Sequence, residues 1–314
     1  MLPRVDLPEL LLEVHAWTGL LHAYTHIAEV STRTKDLAVS VAALLVAEAC
    51  NVGLTPVIKP GEPTLSRAWL AHVDQYYMRA ENHAAANGVL IDAQAQIPIA
   101  RAWGGGLLAS VDGLRFVVPV RTINAGPSPK YFGYKRGITW LNAVNDQVAG
   151  IGQMVVPGTP RDSLFILDTL LNGQIAKTLH LLALVDPIDG TYQRRMNRQL
   201  TVQESRHRLA RKICHGNRGQ IRQAYREGQE DPFAALGLVL NAVVLWNTRY
   251  LDAIVENLRG SGQLVHDEDV ARLSPLGHAH VNCLGRYAFT IQPPAELRPL
   301  RDPNARDSED DDEF

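Results

Sequence analysis

The chain has 314 residues, which suffices for about two domains and a sizeable hydrophobic core. Its composition, 46% hydrophobic and 20% charged residues, is ordinary for a soluble globular protein. The three cysteines, Cys50, Cys214 and Cys283, are widely spaced and form no C-x-x-C pair. This pattern argues against a disulfide framework and against a zinc ribbon, and it indicates a reducing compartment.

No segment of the sequence is predicted to direct the chain to a membrane. The first residues lack the layout of a secretory signal peptide. The most apolar run, from Phe233 to Trp246, is too short to span a bilayer and is interrupted by Asn241, so it predicts a buried core helix. We therefore expect a cytoplasmic protein with no membrane partner.

The formal net charge of −2 conceals two segments of opposite sign. Residues 302–314 carry seven acids and one base, and the stretch 293–314 is predicted to be a disordered acidic tail. Residues 194–226 carry ten bases and a single acid, Glu204, a pattern that favours binding to phosphates over a merely solvated helix exterior. We call these ten bases the basic stripe: Arg194, Arg195, Arg198, Arg206, Arg208, Arg211, Lys212, Arg218, Arg222 and Arg226.

The first 98 residues are predicted to be mostly helical. Apolar residues at helical spacing predict helices over 7–17 and 37–49. Thr64 is a candidate cap for a long helix that runs through Tyr77 and onward and is weakened at Gly88.

From Leu107 the pattern changes to strands. Residues 107–120 are rich in β-forming side chains, and residues 138–141 and 153–156 are two further strand candidates. Between them, Asn124 to Gly137 is a loop rich in Gly, Pro and Ser that carries Lys130, Lys135 and Arg136. Two helices, over 161–171 and 174–185, are predicted to follow.

Asp112 is the only carboxylate in the segment 107–120. Asp112-Gly113 between apolar runs is a strong signal for a two-residue hairpin turn. The alternative is a carboxylate displayed on a sheet to hold a divalent metal ion. Spacing alone favours the hairpin.

Glu204 is the second acidic residue of interest. On a helix it shares one face with His207, Arg208 and Arg211, while Leu200, Leu209 and Ile213 are predicted to supply the packing positions. The plain interpretation is a Glu–Arg pair four residues apart. The functional one is a carboxylate that points at the same metal site as Asp112, and spacing does not decide between them.

Several blocks occur along the chain in a distinctive order. They are Trp103-Gly104-Gly105-Gly106, Asp112-Gly113-Leu114-Arg115-Phe116, Pro129-Lys130-Tyr131-Phe132-Gly133, Arg161-Asp162-Ser163-Leu164-Phe165-Ile166-Leu167-Asp168, Leu245-Trp246-Asn247-Thr248-Arg249-Tyr250-Leu251, Leu273-Ser274-Pro275-Leu276-Gly277 and His280-Val281-Asn282. Together they resemble the catalytic region of Tn-three-type replicative transposases. The likeness covers nearly the whole chain except the acidic tail, and it reverses the preference for a hairpin at Asp112.

The resemblance implies an α/β fold with an incomplete RNase H-like core of the DDE type, flanked by helical regions. The core is expected over 99–215, with a helical region over 1–98 before it and a C-terminal helical region over 216–292 after it. In this family three carboxylates hold two divalent metal ions. By position, Asp112 matches the first catalytic Asp and Glu204 the catalytic Glu, so both are expected to be catalytic residues and Mg²⁺ ligands.

The partners implied by the resemblance are double-stranded DNA, as the terminal inverted repeats of a transposon and as target DNA. A homodimer is an assembly compatible with this function. The DNA contacts are expected from nine bases of the basic stripe, all except Arg226.

The sequence also departs from the family. The second catalytic Asp of the family lies in a Thr-Asp-Thr segment that precedes a long insertion, whereas here residues 167–173 run directly into 174–180. The Gly before the family's Glu is Gln203 here, and the large N-terminal DNA-binding regions of full-length relatives are missing. The candidate substitutes for the second Asp are Asp146, Asp162, Asp168, Asp186 and Asp189.

The sequence thus predicts a transposase remnant that lacks the second catalytic Asp and does not cut or join DNA by itself. One alternative is a catalytically silent DNA-binding or interaction protein that uses the basic stripe. Another is a decayed fragment without a stable fold, since removal of strand and helix from a sheet leaves unpaired edges.

Overall fold

The computed structural model of the chain describes residues 1–28, 36–159, 191–222, 230–285, 287–289 and 297–301. The two helices predicted over 161–171 and 174–185 lie outside the described residues. So do residues 302–314, which hold most of the predicted acidic tail.

Helices dominate the first hundred residues, as predicted. Their bounds are Leu7–Thr18 (α1), Leu37–Ala49 (α2), Arg67–Tyr77 (α3), Ala80–Gln96 (α4) and Pro98–Trp103 (α5), and a short strand Val5–Asp6 (β1) precedes α1. Pro8 lies in the first turn of α1, where its missing N–H costs no hydrogen bond. The predictions over 7–17 and 37–49 are confirmed.

The single long helix predicted after Thr64 is wrong. The cap is Ser66, whose side chain accepts a hydrogen bond from the N–H of Trp69, and α3 ends at Tyr77. Arg79 has an extended backbone, and α4 then runs through Gly88 without a break. The break is stabilised locally, because the side-chain amide of Asn82, in the first turn of α4, donates to the carbonyl of Tyr77 at 2.8 Å.

The central sheet is antiparallel. Its strands are Ala109–Val118 (β2), Arg136–Asn145 (β4) and Gly150–Pro157 (β5), with β4 paired to both of the others. A two-residue strand, Gly126–Pro127 (β3), pairs with the start of β4, and a helical turn, Pro129–Phe132 (α6), follows it. The strand predictions over 138–141 and 153–156 are confirmed.

Two long helices pack against this sheet and against each other. Thr191–Ile213 (α7) contacts β2, while Glu230–Gly260 (α8) contacts β5, α2 and α4. The predicted burial of Phe233 to Trp246 is confirmed, and Trp246 is fully buried. Among the described residues, one helix, Pro232–Gly260, is long and apolar enough to cross a membrane, but 83% of its apolar window is buried inside the protein. Its apolarity is that of a core helix.

The C-terminal part returns to the N-terminus. A helical turn, Asp267–Val270 (α9), is followed by Val281–Asn282 (β6), which pairs in parallel with β1. One hydrophobic cluster extends from Val5 to Phe289 and draws on the helices and on the sheet. The architecture is a mixed helix-and-sheet fold, consistent with the predicted α/β class.

Candidate active site

Asp112 lies in the middle of an extended strand. It pairs with Asn142 of β4, and the next residue, Gly113, pairs with Leu141. The hairpin turn is therefore the wrong interpretation of Asp112-Gly113. Glycine is required here for space, because a Cβ on Gly113 would lie 2.6 Å from Cγ2 of Thr139.

The Asp112 carboxylate faces solvent at the edge of the sheet. Its side chain is 55% exposed, and its Oδ2 lies 3.6 Å from Nδ1 of His207 on α7. Its Oδ1 accepts a hydrogen bond from the backbone N–H of Gly113 at 2.7 Å. An exposed carboxylate oriented by its own backbone retains lone pairs for a further ligand.

Glu204 is brought to the same place by the packing of α7 on the sheet. The side-chain amide of Gln203 donates to both the backbone and the side-chain oxygen of Asn142, each at 3.1 Å. One turn earlier, Gln199 donates to the carbonyl of Val144 at 2.7 Å. These amides fix the rotation of the helix, so that Glu204 is exposed and lines one open depression together with Asp112.

The residues predicted to share the outer face of α7 do so. Of the three residues predicted to pack against the core, one is wrong. The depression is lined by Glu204, His207, Arg208 and Arg211 from α7. Leu209 and Ile213 are buried as predicted, but Leu200 is 58% exposed. The inner face in the first half of the helix is polar, because buried backbone and amide groups of the sheet provide hydrogen-bond partners there.

His207 belongs to the site, although the sequence pattern did not assign it a role. Its Nε2 lies 3.0 Å from the side-chain nitrogen of Asn142, and its Nδ1 faces Asp112. Burial lowers the pKa of His207 below its ordinary value, and the neighbouring Asp112 carboxylate acts in the opposite direction. The only signal in the sequence was its place three residues after Glu204.

The site fits part of what a two-metal centre requires. Oxygen ligands from carboxylates suit Mg²⁺, and Asp112 and Glu204 supply such oxygens to one depression. Within the described ranges, however, no three His, Cys, Asp or Glu side chains are grouped so as to hold a metal ion. The residues described here therefore form an incomplete donor set.

Asp146 does not complete this set. It follows the end of β4, four positions beyond Asn142, which is roughly 13 Å along the strand from the level of Asp112. Its Oδ1 accepts from the N–H of Gly106 at 2.7 Å, and burial raises the pKa of its carboxyl. The other candidate substitutes, Asp162, Asp168, Asp186 and Asp189, lie outside the described residues.

Four of the seven stripe side chains that the structure describes are exposed. The side chains of Arg194 and Arg195 lie outside the described residues, as does the whole of Arg226. Arg198 is half-buried and donates to the carbonyl of Trp103 at 3.1 Å, and Lys212 donates to the carbonyl of His278. The members that remain exposed are Arg208, Arg211, Arg218 and Arg222.

Arg206 does not fit its predicted role as a DNA contact, because its side chain points into the core. It is 1% exposed, and its Nη2 donates to Oδ1 of Asn241 at 2.8 Å. Among the described residues, its Nε and Nη1 have no hydrogen-bond partner. Burial lowers the pKa of Arg206 to about 9.

Comparisons with known proteins identify the family. The family model for the Tn3 transposase DDE domain matches residues 9–174 and 172–287. The transposase for transposon Tn4556 of Streptomyces fradiae is 42% identical over 421 residues, covering 98% of this chain and 47% of that protein. The transposase for transposon gamma-delta of Escherichia coli (strain K12) is 39% identical over 404 residues, covering 93% of this chain and 40% of that protein.

The lengths of these alignments are informative. The chain spans less than half the length of the two relatives, at 47% and 40%. Both alignments, at 421 and 404 residues, are nevertheless longer than the 314 residues of the chain, so they contain gaps in it. The two family matches overlap at residues 172–174. The chain belongs to the family of Tn3 transposase DDE domains.

Proposed function

We propose that the chain is the DNA-processing part of a Tn3-type transposase, and that Asp112 and Glu204 are two of its three catalytic carboxylates. The observation that carries this proposal is the meeting of both acids in one open depression, next to Arg208 and Arg211, in a chain of this family. The arginines suit the phosphates of double-stranded DNA at transposon ends and at a target.

The core is proposed to be RNase H-like. In support, the first carboxylate lies in the middle of the first of three antiparallel strands, and the second lies on a helix packed against them. This arrangement agrees with the fold that the family resemblance implies.

The catalytic centre is proposed to be incomplete in this chain. When two divalent cations are bound, such a centre stabilises the attacking and leaving oxygens of an in-line displacement. Asp112 and Glu204 would hold part of such a pair, and the gapped alignments and the junction at 172–174 support the loss of the segment with the second Asp. Catalysis requires that the positions of both cations be held to within about half an ångström, and two carboxylates do not suffice to hold both cations so closely.

A strand-transfer assay tests the proposal. With a pre-cut transposon-end duplex and Mg²⁺ or Mn²⁺, the chain is expected to bind the duplex and to form no joined product. Insertion of the corresponding segment of a relative at residues 172–174 is expected to restore joining, and Asp112→Ala or Glu204→Gln should abolish the restored activity. Joining by the unmodified chain that Asp112→Ala removes would contradict incompleteness.

A second candidate function is DNA binding without catalysis. Four exposed arginines favour it: Arg208 and Arg211 line the same depression, and Arg218 and Arg222 follow them in the sequence. Duplex affinity should fall with salt, and Arg208→Gln with Arg211→Gln should reduce the slope of log K against log salt by about 2. Arg67→Gln, on the exposed side of α3, is the matched control. Binding that is indifferent to salt would contradict both candidates.

The remaining alternative is a decayed fragment without a stable fold. The continuous hydrophobic cluster from Val5 to Phe289 argues against it. A cooperative unfolding transition in urea, coincident by fluorescence and circular dichroism, is expected for a folded chain. A gradual change without a transition would favour decay.

Cytoplasmic location and a homodimer are part of the same proposal. The burial of the apolar window of α8 inside the protein supports a chain that does not cross a membrane. Sedimentation of the chain with and without transposon-end duplex tests the assembly, and a dimer is expected with the duplex.

A further inference from the structure

The loop between β2 and β4, residues 119–135, has a charge pattern that the catalytic proposal does not use. Between Asp112 and Asp146 the sequence has five bases and no acid. The bases are Arg115, Arg121, Lys130, Lys135 and Arg136. This stretch of more than thirty residues therefore carries only positive charge. It lies at the rim of a depression, and its charge complements that of a polyanion.

Aromatic and basic side chains alternate in the second half of this loop. The guanidinium carbon of Arg115 lies 4.1 Å from the centroid of the Tyr131 ring, and Nζ of Lys130 lies 5.0 Å from it. The ring is still 44% exposed. Tyr131 is thus oriented by cations on its neighbours while it keeps surface available for a further contact.

Two large apolar side chains of the loop have almost no contact with the rest of the protein. Tyr134 is fully exposed, and Ile123 is 90% exposed. Gly133, with φ +58°, provides the left-handed turn just before Tyr134. Nη1 of Arg136 donates to the carbonyls of Thr122 at 3.2 Å and Ala125 at 3.4 Å, which joins the turn with Ile123 to the segment with Tyr134.

The loop is continuous with the candidate active site. Tyr131 and Phe132 line the same depression as Asp112 and Glu204. A nucleic acid strand with a phosphate at Arg208 and Arg211 in this depression would therefore reach the loop at Tyr131. Exposed aromatic rings beside a basic track are the features with which proteins bind unpaired bases, because every base has a face that stacks.

We propose that the β2–β4 loop is a nucleobase-stacking site for unpaired DNA, in which Tyr134 stacks on a base and Ile123 packs beside it. Lys130, Lys135 and Arg121 contact the phosphates of the same strand. The inference rests on the proposed function in one respect, that the occupant is DNA. It goes beyond that function in assigning the loop to unstacked bases instead of to duplex DNA.

Fluorescence anisotropy with a single-stranded oligonucleotide and a duplex of the same sequence tests the proposal. Tyr134→Ala is expected to weaken single-strand binding about 10-fold, the effect of one lost stacked base, and duplex binding by less than about 2-fold. Tyr134→Trp should retain single-strand affinity. Leu264→Ala, at a side chain that is 84% exposed elsewhere on the surface, is the control and should change neither.

A second readout reports on stacking itself. A 2-aminopurine base in the single strand is expected to be quenched by the wild-type chain and less so by Tyr134→Ala at saturating protein. Equal losses of affinity for single strand and duplex in Tyr134→Ala would overturn the proposal. Quenching by Tyr134→Ala equal to that by the wild-type chain would also overturn it.

The test separates this inference from the proposed function. If the wild-type chain binds neither DNA, both fail. If duplex binding depends on salt and on Arg208 and Arg211 while Tyr134→Ala has no effect on the single strand, only the stacking site fails.

Discussion

Oδ2 of Asp112 lies 3.6 Å from Nδ1 of His207, where the middle of β2 meets the outer face of α7. This contact joins the first candidate carboxylate to a residue one turn from the second. Because of this contact, the pKa of the His207 imidazole responds to the charge in the depression.

The pKa of His207 is expected to fall when Asp112 is neutralised. Burial lowers this pKa, and the Asp112 carboxylate raises it by stabilising the imidazolium. Removal of the negative charge in Asp112→Asn leaves burial and the nearby arginines, so the pKa should move further down. A histidine Cε1–H titration by NMR in metal-free buffer measures it, with Glu204→Gln as the matched variant. An unchanged or raised pKa in Asp112→Asn would mean that the two residues are not in contact.

Gly113→Ala is expected to destabilise the protein, and a second substitution is expected to compensate. The new Cβ would lie 2.6 Å from Cγ2 of Thr139, which should cost about 1–3 kcal/mol of unfolding free energy. Thr139→Ser removes that methyl group and keeps the hydroxyl that donates to the carbonyl of Gly158. Urea unfolding of the two single variants and the double variant forms a cycle, and a coupling of less than about 0.5 kcal/mol would show that the strand is not packed in this way.

Arg206→Met is expected to have little effect on stability, in contrast to Arg206→Ala. Nε and Nη1 of this buried guanidinium have no hydrogen-bond partner among the residues that the structure describes, and Oδ1 of Asn241 still accepts from the N–H of Gly150 without it. Methionine fills most of the volume, whereas alanine leaves a cavity that should cost about 2–5 kcal/mol. Equilibrium unfolding measures both, with Arg208→Met as the exposed control. A large loss in Arg206→Met, together with a reduced salt slope for duplex DNA, would restore its predicted role as a DNA contact.

Stability is expected to fall in acid partly through His83. Burial lowers the pKa of His83 from 6.5 to about 4. Between these values the unfolded chain binds a proton that the folded chain does not, so the unfolding free energy is highest above pH 6.5 and declines toward pH 4. His15 and His280, with pKa values also lowered to about 4 by burial, add to the decline.

His83→Asn should make that decline shallower, whatever it does to the stability at neutral pH. Asparagine retains a polar atom near the hydroxyl of Tyr24, which lies 2.8 Å from Nδ1 of His83. Unfolding in urea at several pH values gives the slope, and His266→Asn, at an exposed position, is the control. An identical slope in His83→Asn and the wild-type chain would contradict the assignment.

The sequence by itself determined most of the regular elements and the two candidate carboxylates. Apolar spacing located α1, α2, β4, β5 and the buried part of α8, because these elements bury continuous apolar faces. The order of the blocks from Trp103 to Asn282 indicated the family, which the comparisons confirm. Each of these features depends on a pattern of residues that lie close together in the chain.

Only the tertiary structure decided which bases of the stripe face solvent and which residues share the depression. Gln199, Gln203 and Arg206 face inward although they are polar, because Val144, Asn142 and Asn241 accept their hydrogen bonds from positions distant in sequence. An apolar pattern assigns polar residues to the surface, so it assigned Arg206 to DNA and Leu200 to the core. The rotation of α7, and with it the contact of His207 with Asp112, is fixed by hydrogen bonds across the sheet, and spacing along one helix does not encode them.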